Sequence, residues 1–354
     1  MGKRVKVLVV DDSAVARSVL VTHLSQDPEI EIIGTATDGL EALSRIKQLR
    51  PDVVTLDVMM PRMDGLRALR RIMAEAPTPV VMVSVLSREG SQITVKALEL
   101  GAVDFVLKRL GRGQTPMGGM MDDLRTKVKL AAGANLIRVP EPRRERGAHN
   151  GATPARVSWR DRVVVIGSST GGPQALRTLL HGLPAGISIP FLVVQHMPAW
   201  FTGSLAQSLD TITPLRVVEA QQGMDIEAGT VYIAPGDYHM LAAKDGRIRL
   251  SRAARELGVR PSINVTLQSA ADIYGASTLG VILTGMGTDG TRGARVVKDA
   301  GGQIISQDEA TSVVYGMPRS VAEAGLSDKV APLSAIAGEI VRLCRATAPR
   351  VARP

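Results

Sequence analysis

The chain has 354 residues, of which 45% are hydrophobic and 22% are charged, which suits two ordinary domains and excludes disorder throughout. Its single cysteine, Cys344, excludes a disulfide framework and a cysteine-built zinc site. No apolar run reaches the length of a membrane span, and the opening MGKRVKVLVVDD meets two acids before a signal-peptide core can form. We therefore expect a cytoplasmic protein without membrane insertion.

The net charge of +9 is concentrated in the middle of the chain. Residues 109–162 hold 12 basic and 5 acidic residues, a net charge of +7, whereas residues 1–108 hold 14 of each. Within this part, VPEPRRERGAHNGATPARVSWR is rich in Pro, Gly and Arg and has no apolar periodicity, which predicts a linker over residues 135–157. Residues 163–354 hold 17 basic and 15 acidic residues, so a nucleic-acid partner is not expected.

On both sides of the linker, short apolar runs alternate with amphipathic stretches, which is typical of parallel sheets covered by helices. Before the linker, the strand predictions are Val5–Val10, Glu31–Ala36, Val53–Leu56, Val80–Ser84 and Asp104–Leu107, with a closing helix that ends near residue 134. After it, they are Arg162–Ile166, Phe191–Gln195, Leu279–Thr284 and Gln303–Ile305. We predict an α/β protein with two doubly wound parallel-sheet domains, a flavodoxin-like one at residues 4–134 and a larger Rossmann-like one at residues 158–347.

Polar residues follow or end the predicted strands of the first domain. Asp11 and Asp12 come after the first strand, Asp57 after the third, Ser84 ends the fourth and Lys108 follows the fifth. Because the carboxyl ends of parallel strands line one crevice, these groups should converge there. Clustered carboxylates favour Mg2+, and a carboxylate such as Asp57 can accept a phosphoryl group as an acyl phosphate. An ammonium from Lys108 would neutralise that group, and the Ser84 hydroxyl would bind it.

The motifs DD, LDVMMPRMDG, VMVSVLS and DFVLK occur here in an order and spacing that resemble the response-regulator receiver family. The resemblance implies that a histidine kinase phosphorylates Asp57 and that Asp12 and Asp57, with Asp11 nearby, hold Mg2+. It also implies that Ser84 and Phe105 relay the switch. Receivers usually have proline after the lysine, whereas Arg109 occupies that place here.

A glycine-rich turn between a predicted strand and a helix dominates the second domain. Gly167 to Gly171 read GSSTG, the G-x-S-x-G form of a nucleophile elbow, which singles out Ser169. Amides at the start of the following helix can stabilise an oxyanion, the first candidate being that of Thr170. A phosphate-binding loop is the competing interpretation, although the turn fits neither G-x-G-x-x-G nor G-x-x-x-x-G-K-[ST].

His196 and Asp289 follow two other predicted strands of this domain. Three loops at one sheet edge could therefore bring together the alcohol of Ser169, an imidazole and a carboxylate. The order Ser, His, Asp disfavours an α/β hydrolase, in which the acid precedes the histidine. The other histidines are weaker candidates for the base, since His23 and His181 lie in predicted helices and His149 lies in the linker. His239 is the one rival, but it follows a hairpin-like stretch, so we expect it at most at the rim of the site. An output domain that binds DNA or a nucleotide is the alternative function.

Together, IGSSTGGP, QHMP, YIAPGDYHM and LTGMGTDG resemble the protein-glutamate methylesterase family of bacterial chemotaxis. The resemblance implies a carboxylic ester hydrolase that removes methyl groups from glutamate methyl esters of chemoreceptors and deamidates particular receptor glutamines. It assigns Ser169, His196 and Asp289 as the triad, with Met286 beside it, and implies no cofactor for the esterase. The family usually has asparagine before the aspartate, where this chain has Thr288.

Overall fold

The computed structural model describes residues 3–85, 88–108, 117–136 and 162–345. The chain divides into two compact units, Met1–Leu136 and Ile137–Pro354. Arg109, His149 and most of the predicted linker lie outside the described residues, and the predicted domain boundaries stay predictions. Within the described ranges, no helix is both long and apolar enough to cross a bilayer.

The first unit is a parallel sheet of five strands in the order β2-β1-β3-β4-β5. This is the flavodoxin-like order, and the direction of winding reverses between β1 and β3. The elements are β1 (Val5–Val10), α1 (Ala14–Leu24), β2 (Ile30–Ala36), α2 (Gly39–Leu49), β3 (Val53–Asp57), α3 (Gly65–Glu75), β4 (Val80–Val85), α4 (Arg88–Glu99), β5 (Asp104–Lys108) and α5 (Met117–Ala132).

Local sequence explains why these elements form. Strand β3, with the sequence VVTLD, is buried along its whole length, as expected for a central strand of a parallel sheet. Helix α2 begins after Asp38, whose carboxylate accepts hydrogen bonds from the amides of Leu40 and Glu41. The same helix buries Leu43 and Ile46, which are three residues apart and so share one face. The reversal between β1 and β3 leaves a crevice at the ends of these two strands.

The second unit contains a parallel sheet of seven strands in the order β14-β13-β12-β6-β7-β9-β8, and a separate antiparallel hairpin of β10 and β11. Its elements are β6 (Val163–Ser168), α6 (Gly172–His181), β7 (Phe191–Gln195), α7 (Phe201–Asp210), β8 (Arg216–Glu219), β9 (Thr230–Ile233), β10 (His239–Ala242), β11 (Ile248–Ser251), α8 (Ile263–Tyr274), β12 (Thr278–Ile282), α9 (Thr291–Asp299), β13 (Gln303–Gln307), α10 (Met317–Glu323), β14 (Lys329–Ala331) and α11 (Leu333–Arg345).

Strand β6 lies at the centre of this sheet and is completely buried. It pairs with β7 on one side, where Ser168 lies opposite Gln195, and with β12 on the other, where Gly167 lies opposite Ile282. The chain adds strands on the β7 side first and then returns to the β12 side, so the winding reverses beside β6. Ligand sites of doubly wound sheets form at this kind of reversal, beyond the carboxyl ends of the strands.

Both sheets confirm the predicted fold class. The predicted strands of the first unit agree with the structure to within one residue at either end. In the second unit, five strands were not predicted, namely β8, β9, β10, β11 and β14, and β12 ends at Ile282, two residues earlier than the apolar run suggested. The five missed strands have only three or four residues each, too few for a clear apolar pattern.

Candidate active site

In the first unit, the predicted polar residues meet at the strand ends. The ammonium of Lys108 lies 2.6 Å from Asp11 Oδ2 and 2.9 Å from Asp57 Oδ1, and all three side chains are at least nine-tenths buried. Burial raises the pKa of Asp57 above its usual range, although Lys108 opposes that effect. For Lys108, burial alone would lower the pKa, but the two carboxylates outweigh it and raise the pKa.

The three aspartates predicted as metal ligands also lie together. Each of Asp11, Asp12 and Asp57 offers a carboxylate oxygen, and these atoms are within 4.8 Å of one another. Asp11 and Asp57 are buried, whereas Asp12 is exposed, so the cluster opens on one side. Hard carboxylate oxygens in an open arrangement suit Mg2+, which keeps several ligand positions for water or a phosphoryl group.

The two residues predicted to relay the switch lie on neighbouring strands of this sheet, Ser84 on β4 and Phe105 on β5. Ser84 follows Val83, which pairs with Asp57, and its buried hydroxyl accepts a hydrogen bond of 2.8 Å from Thr94 Oγ1 in α4. Phe105 is 5% exposed on β5, and the Lys127 ammonium lies 5.4 Å from its ring centroid. In this arrangement the aromatic side chain is packed inward.

The turn after β6 carries the predicted nucleophile. Ser169 donates its backbone amide to Thr284 O (3.0 Å), so the turn stays attached to the end of β12, and the side chain is only partly buried. Gly171 has φ +76°, and a Cβ there would approach Val313 to 2.6 Å, so glycine is required both for the conformation and for the space. Helix α6 begins at Gly172, and Pro173 follows in its first turn, where proline is tolerated because the amide has no partner within the helix.

The predicted base and acid make direct contact. His196, the residue after β7, places Nε2 2.8 Å from Asp289 Oδ2, and both side chains are largely buried. A carboxylate only accepts hydrogen bonds, so in the neutral imidazole Nε2 carries the proton and Nδ1 has the lone pair. The amide of His196 donates to Ser168 O (3.0 Å), which ties the loop that carries the base to the residue before Ser169.

Asp289 is held at the N-terminus of α8. Its Oδ1 accepts from Ser262 Oγ (2.9 Å), the Asn264 amide (3.0 Å) and the Gly290 amide (3.0 Å), and its Oδ2 accepts from the Ile263 amide (2.7 Å). The carboxylate thus satisfies helix amides that have no partner within the helix, at the positive end of the helix dipole.

These donors set the ionisation of Asp289. Burial on its own would raise the pKa of this carboxyl. The hydrogen bond and charge of His196, together with the backbone donors, outweigh burial and hold the pKa of Asp289 below its ordinary value. Asp289 is therefore ionised at neutral pH and can stabilise a positive imidazolium.

The remaining predicted residues lie around Ser169. Thr170 is buried, and its carbonyl accepts from Thr284 Oγ1 (3.0 Å). Met286 is 45% exposed and follows Gly285, where a Cβ would lie 2.6 Å from Ser169 Cβ. The nucleophile turn and the loop before Asp289 are therefore in close contact.

His239 differs from the sequence-based expectation of a site-rim residue. It begins strand β10 and is 1% exposed. Its Nε2 donates to Ala254 O (3.0 Å), and its Nδ1 accepts from the Ser262 amide (3.2 Å). His239 therefore supports the residue that binds Asp289. Among the other histidines, His23 and His181 lie in α1 and α6, as predicted.

Several supporting residues escaped the sequence analysis. No spacing rule connects Ser262 and Asn264 with Asp289, because the contact joins a helix start to a distant loop. The sequence does single out Gln195, which is a polar residue at the end of the apolar run FLVV, directly before His196. A buried amide at such a position must be hydrogen-bonded, so it predicts a local network.

Comparisons with known proteins match each part of the chain to a family. The CheB methylesterase family model matches residues 164–340, and the response regulator receiver domain model matches residues 7–115. A protein from Symbiobacterium thermophilum named protein-glutamate methylesterase/protein-glutamine glutaminase is 47% identical over 349 residues, 96% of each chain. One of the same name from Thermotoga maritima is 43% identical over 345 residues, 96% of this chain and 98% of the relative. The crystal structure of the Thermotoga maritima CheB methylesterase catalytic domain is 48% identical, covers 51% of this chain and 98% of its own, and gives a TM-score of 0.50.

A receiver domain followed by a methylesterase domain defines the class of the protein as a response regulator with an enzymatic output. Within that class, the chain belongs to the CheB methylesterase family. The predicted family and the predicted enzyme class, an ester hydrolase, are confirmed. The roles of the individual site residues stay predictions.

Proposed function

We propose that this chain removes methyl groups from glutamate methyl esters of chemoreceptors under the control of its receiver, and so serves adaptation in chemotaxis. Two relatives that match nearly the whole chain carry the name of this esterase and of a protein-glutamine glutaminase. The substrates are methylated glutamates on the receptors and particular receptor glutamines. The receptors present these groups in the cytoplasm, which is where the enzyme acts, and no nucleic acid takes part.

The contact between His196 and Asp289 (2.8 Å) carries this proposal. Nδ1 of His196 takes the hydroxyl proton of Ser169, whose Oγ bonds to the side-chain carbonyl carbon of the methylated glutamate. The imidazolium returns that proton to the methoxy oxygen, and methanol leaves. Water activated by the same imidazole then breaks the acyl bond and restores Ser169. Deamidation follows the same steps with ammonia as the leaving group.

Asp289 acts as an orienting group in this mechanism. Five hydrogen bonds fix its carboxylate, so the imidazole can rotate little about the contact. The negative charge also stabilises the imidazolium that forms when Ser169 attacks. The Thr170 amide, in the turn at the start of α6, stabilises the developing oxyanion, and Met286 borders the substrate. No metal or organic cofactor is needed for these steps.

Asp57 receives a phosphoryl group from a histidine kinase of the chemotaxis type and regulates the esterase. When bound, Mg2+ would be held by Asp11, Asp12 and Asp57 and would neutralise the charge of the phosphoryl oxygens. The ammonium of Lys108, at the end of β5, also neutralises the negative charge of the phosphoryl oxygens. The Ser84 hydroxyl binds the phosphoryl group, and Phe105 changes its packing in response.

The proposal is tested with receptor-containing membranes that carry radiolabelled methyl esters. Ser169→Ala is expected to lower methanol release by about 10³-fold or more, because the triad loses its nucleophile. Ser188→Ala is the matched control, since this serine lies in the loop before β7 and bonds only locally to Gly186 O. Mass spectrometry of the receptor peptides, with and without acetyl phosphate, identifies the modified residues. Full methanol release by Ser169→Ala would overturn the assignment.

A further inference from the structure

The buried side chain of Gln195 connects the loops that carry Ser169 and His196. Gln195 is the last residue of β7 and is 2% exposed. Its Nε2 donates to Ser169 O at 2.9 Å and to His196 O at 3.1 Å. Its Oε1 accepts from Ser168 Oγ at 2.6 Å. One carboxamide thus bonds the main chains of two predicted triad residues.

The chemistry of its partners fixes the orientation of this amide. Two main-chain carbonyl oxygens accept and never donate, so they require the two N–H groups of the carboxamide. The Ser168 hydroxyl can donate, and it completes the network at Oε1. A flipped amide would place an oxygen against both carbonyls, which is repulsive in a buried site. The side chain therefore has one stable orientation.

The absence of a side chain at Gly172 leaves the space that the Gln195 carboxamide occupies. Gly172 begins α6, and a Cβ there would lie 1.9 Å from Gln195 Oε1. That distance is far below a van der Waals contact, so any side chain at position 172 would displace the carboxamide. The second glycine of the GG pair after Thr170 consequently serves the glutamine, whereas Gly171 serves the turn.

The hydrogen bonds of the Gln195 side chain begin where the main-chain hydrogen bonds between β6 and β7 end. The last main-chain hydrogen bond between β6 and β7 runs from the His196 amide to Ser168 O (3.0 Å). Beyond this hydrogen bond, the segments after β6 and β7 separate into different loops. The side-chain amide of Gln195 supplies the next two hydrogen bonds, to Ser169 O and His196 O. The carbonyl of Ser169 has a second donor, the Gly172 amide at 2.8 Å, which belongs to its own turn. The connection between the two loops at this level is made by the carboxamide.

We propose that Gln195 is a positioning residue that fixes the spacing between the nucleophile Ser169 and the base His196, with Ser168 holding its amide in place. The inference rests on the proposed function, because it concerns the same reaction. Proton transfer requires the serine oxygen and the imidazole nitrogen at about 2.6–3.2 Å, and a displacement of about 1 Å costs roughly 10²-fold in rate. Gln195 touches only the main chain of these residues, so it acts on their spacing and on no reacting atom.

The test substitutes a side chain of similar length that has no donors. In the full chain with acetyl phosphate and Mg2+, Gln195→Met is expected to lower kcat for methyl-ester hydrolysis by about 30- to 100-fold and to change KM by less than about threefold. Thr278→Val is the matched control. Thr278 is equally buried at the start of β12, at the opposite end of the strand from the site, and its hydroxyl donates to Ala270 O (3.3 Å), so it joins neither Ser169 nor His196.

A second measurement distinguishes a change in the spacing between Ser169 and His196 from a general loss of folded structure. The rate at which a fluorophosphonate labels Ser169, followed by intact mass, reports the nucleophile and base without the receptor substrate. Gln195→Met should slow labelling strongly in the wild-type background. In a His196→Ala background it should slow labelling by less than about threefold, because groups that act as one unit are not additive.

The outcomes distinguish a failure of the positioning role of Gln195 from a failure of the proposed esterase function. An equal loss in both backgrounds, a loss confined to KM, or the same loss of kcat in Thr278→Val would each overturn the role of Gln195. Wild-type kinetics in Gln195→Met would overturn it as well, while leaving the esterase proposal intact. If the unmodified protein neither hydrolyses methyl esters nor reacts with the fluorophosphonate, both inferences fail.

Discussion

Asp57 and Asp289 are both buried carboxylates beyond the carboxyl ends of parallel strands, yet their surroundings differ. Asp57 lies beside a second carboxylate, Asp11, and the ammonium of Lys108. Asp289 lies beside His196 and the first amides of α8. The pKa of Asp57 is raised because burial dominates, whereas the pKa of Asp289 is lowered because its hydrogen bonds outweigh burial.

This difference separates two kinds of chemistry on one type of sheet. A carboxylate among charges can share a cation and bond to phosphorus, as expected of a phosphoacceptor. A carboxylate whose oxygens are occupied by five donors has no free geometry for attack and can only orient its neighbour. The sheet edge therefore determines where the acids lie, and the neighbouring donors determine what each acid can do.

The largest effect should come from exchanging the charge of Asp289 for an amide. Asp289→Asn is expected to lower kcat by about 10³- to 10⁴-fold, because an amide does not stabilise the imidazolium and allows the wrong tautomer of His196. The measurement is kcat and KM for a methylated receptor peptide, with circular dichroism as a check on folding. Asp245→Asn, on the surface turn between β10 and β11, is the control. Unchanged kcat in Asp289→Asn would remove the distinction between the two acids.

The next effect concerns phosphorylation. Asp57→Asn should abolish the stimulation of esterase activity by acetyl phosphate and the incorporation of hydroxylamine-labile phosphate, since the acyl phosphate cannot form. Chelation of Mg2+ by EDTA should abolish the same incorporation in the unmodified protein, because the carboxylate cluster needs a cation to accept a phosphoryl group. The esterase rate without acetyl phosphate should stay within about twofold in EDTA, since the proposed triad uses no metal. Phosphate found on Asp289 would contradict the comparison.

The sequence was sufficient for the fold class, and it indicated the strand ends at which the candidate site residues come together. Strong apolar runs such as β1 and β7 could be assigned directly, and the polar residues after them indicated the active edge. Strand β14, with the sequence KVA, could not be found in this way, because two of its three residues are exposed. Its place depends on pairing with β13, which is a tertiary contact.

The sequence could not reveal how the site residues are held. Ser169, His196 and Asp289 were predicted because each follows an apolar run, but three of the donors to Asp289 come from the start of α8, about 26 residues earlier in the chain. Gln195 stands next to His196 in sequence, but only the structure shows that its amide also reaches the turn of Ser169. Short motifs thus identify reacting groups more readily than the groups that position them.

The smallest expected effect is a pH-dependent stability difference at Asp289. Its folded-state pKa lies below the unfolded value of about 3.9, so the ionised form stabilises the fold. This contribution is fully present above the unfolded pKa and is lost as the pH falls through the folded pKa. Asp289→Asn keeps one acceptor oxygen and should cost about 2 kcal/mol of the free energy of unfolding at neutral pH.

The stability difference between the unmodified protein and Asp289→Asn should therefore shrink as the pH is lowered below about 4. Urea denaturation followed by hydrogen–deuterium exchange of peptides from residues 162–345 measures this between pH 7 and pH 3. Peptides from this range report the second unit and exclude the receiver. A difference that stays constant with pH would mean that hydrogen-bond geometry alone, and not ionisation, makes Asp289 stabilising. In that case Asp289 and Asp57 would differ in their hydrogen-bond geometry and not in their ionisation.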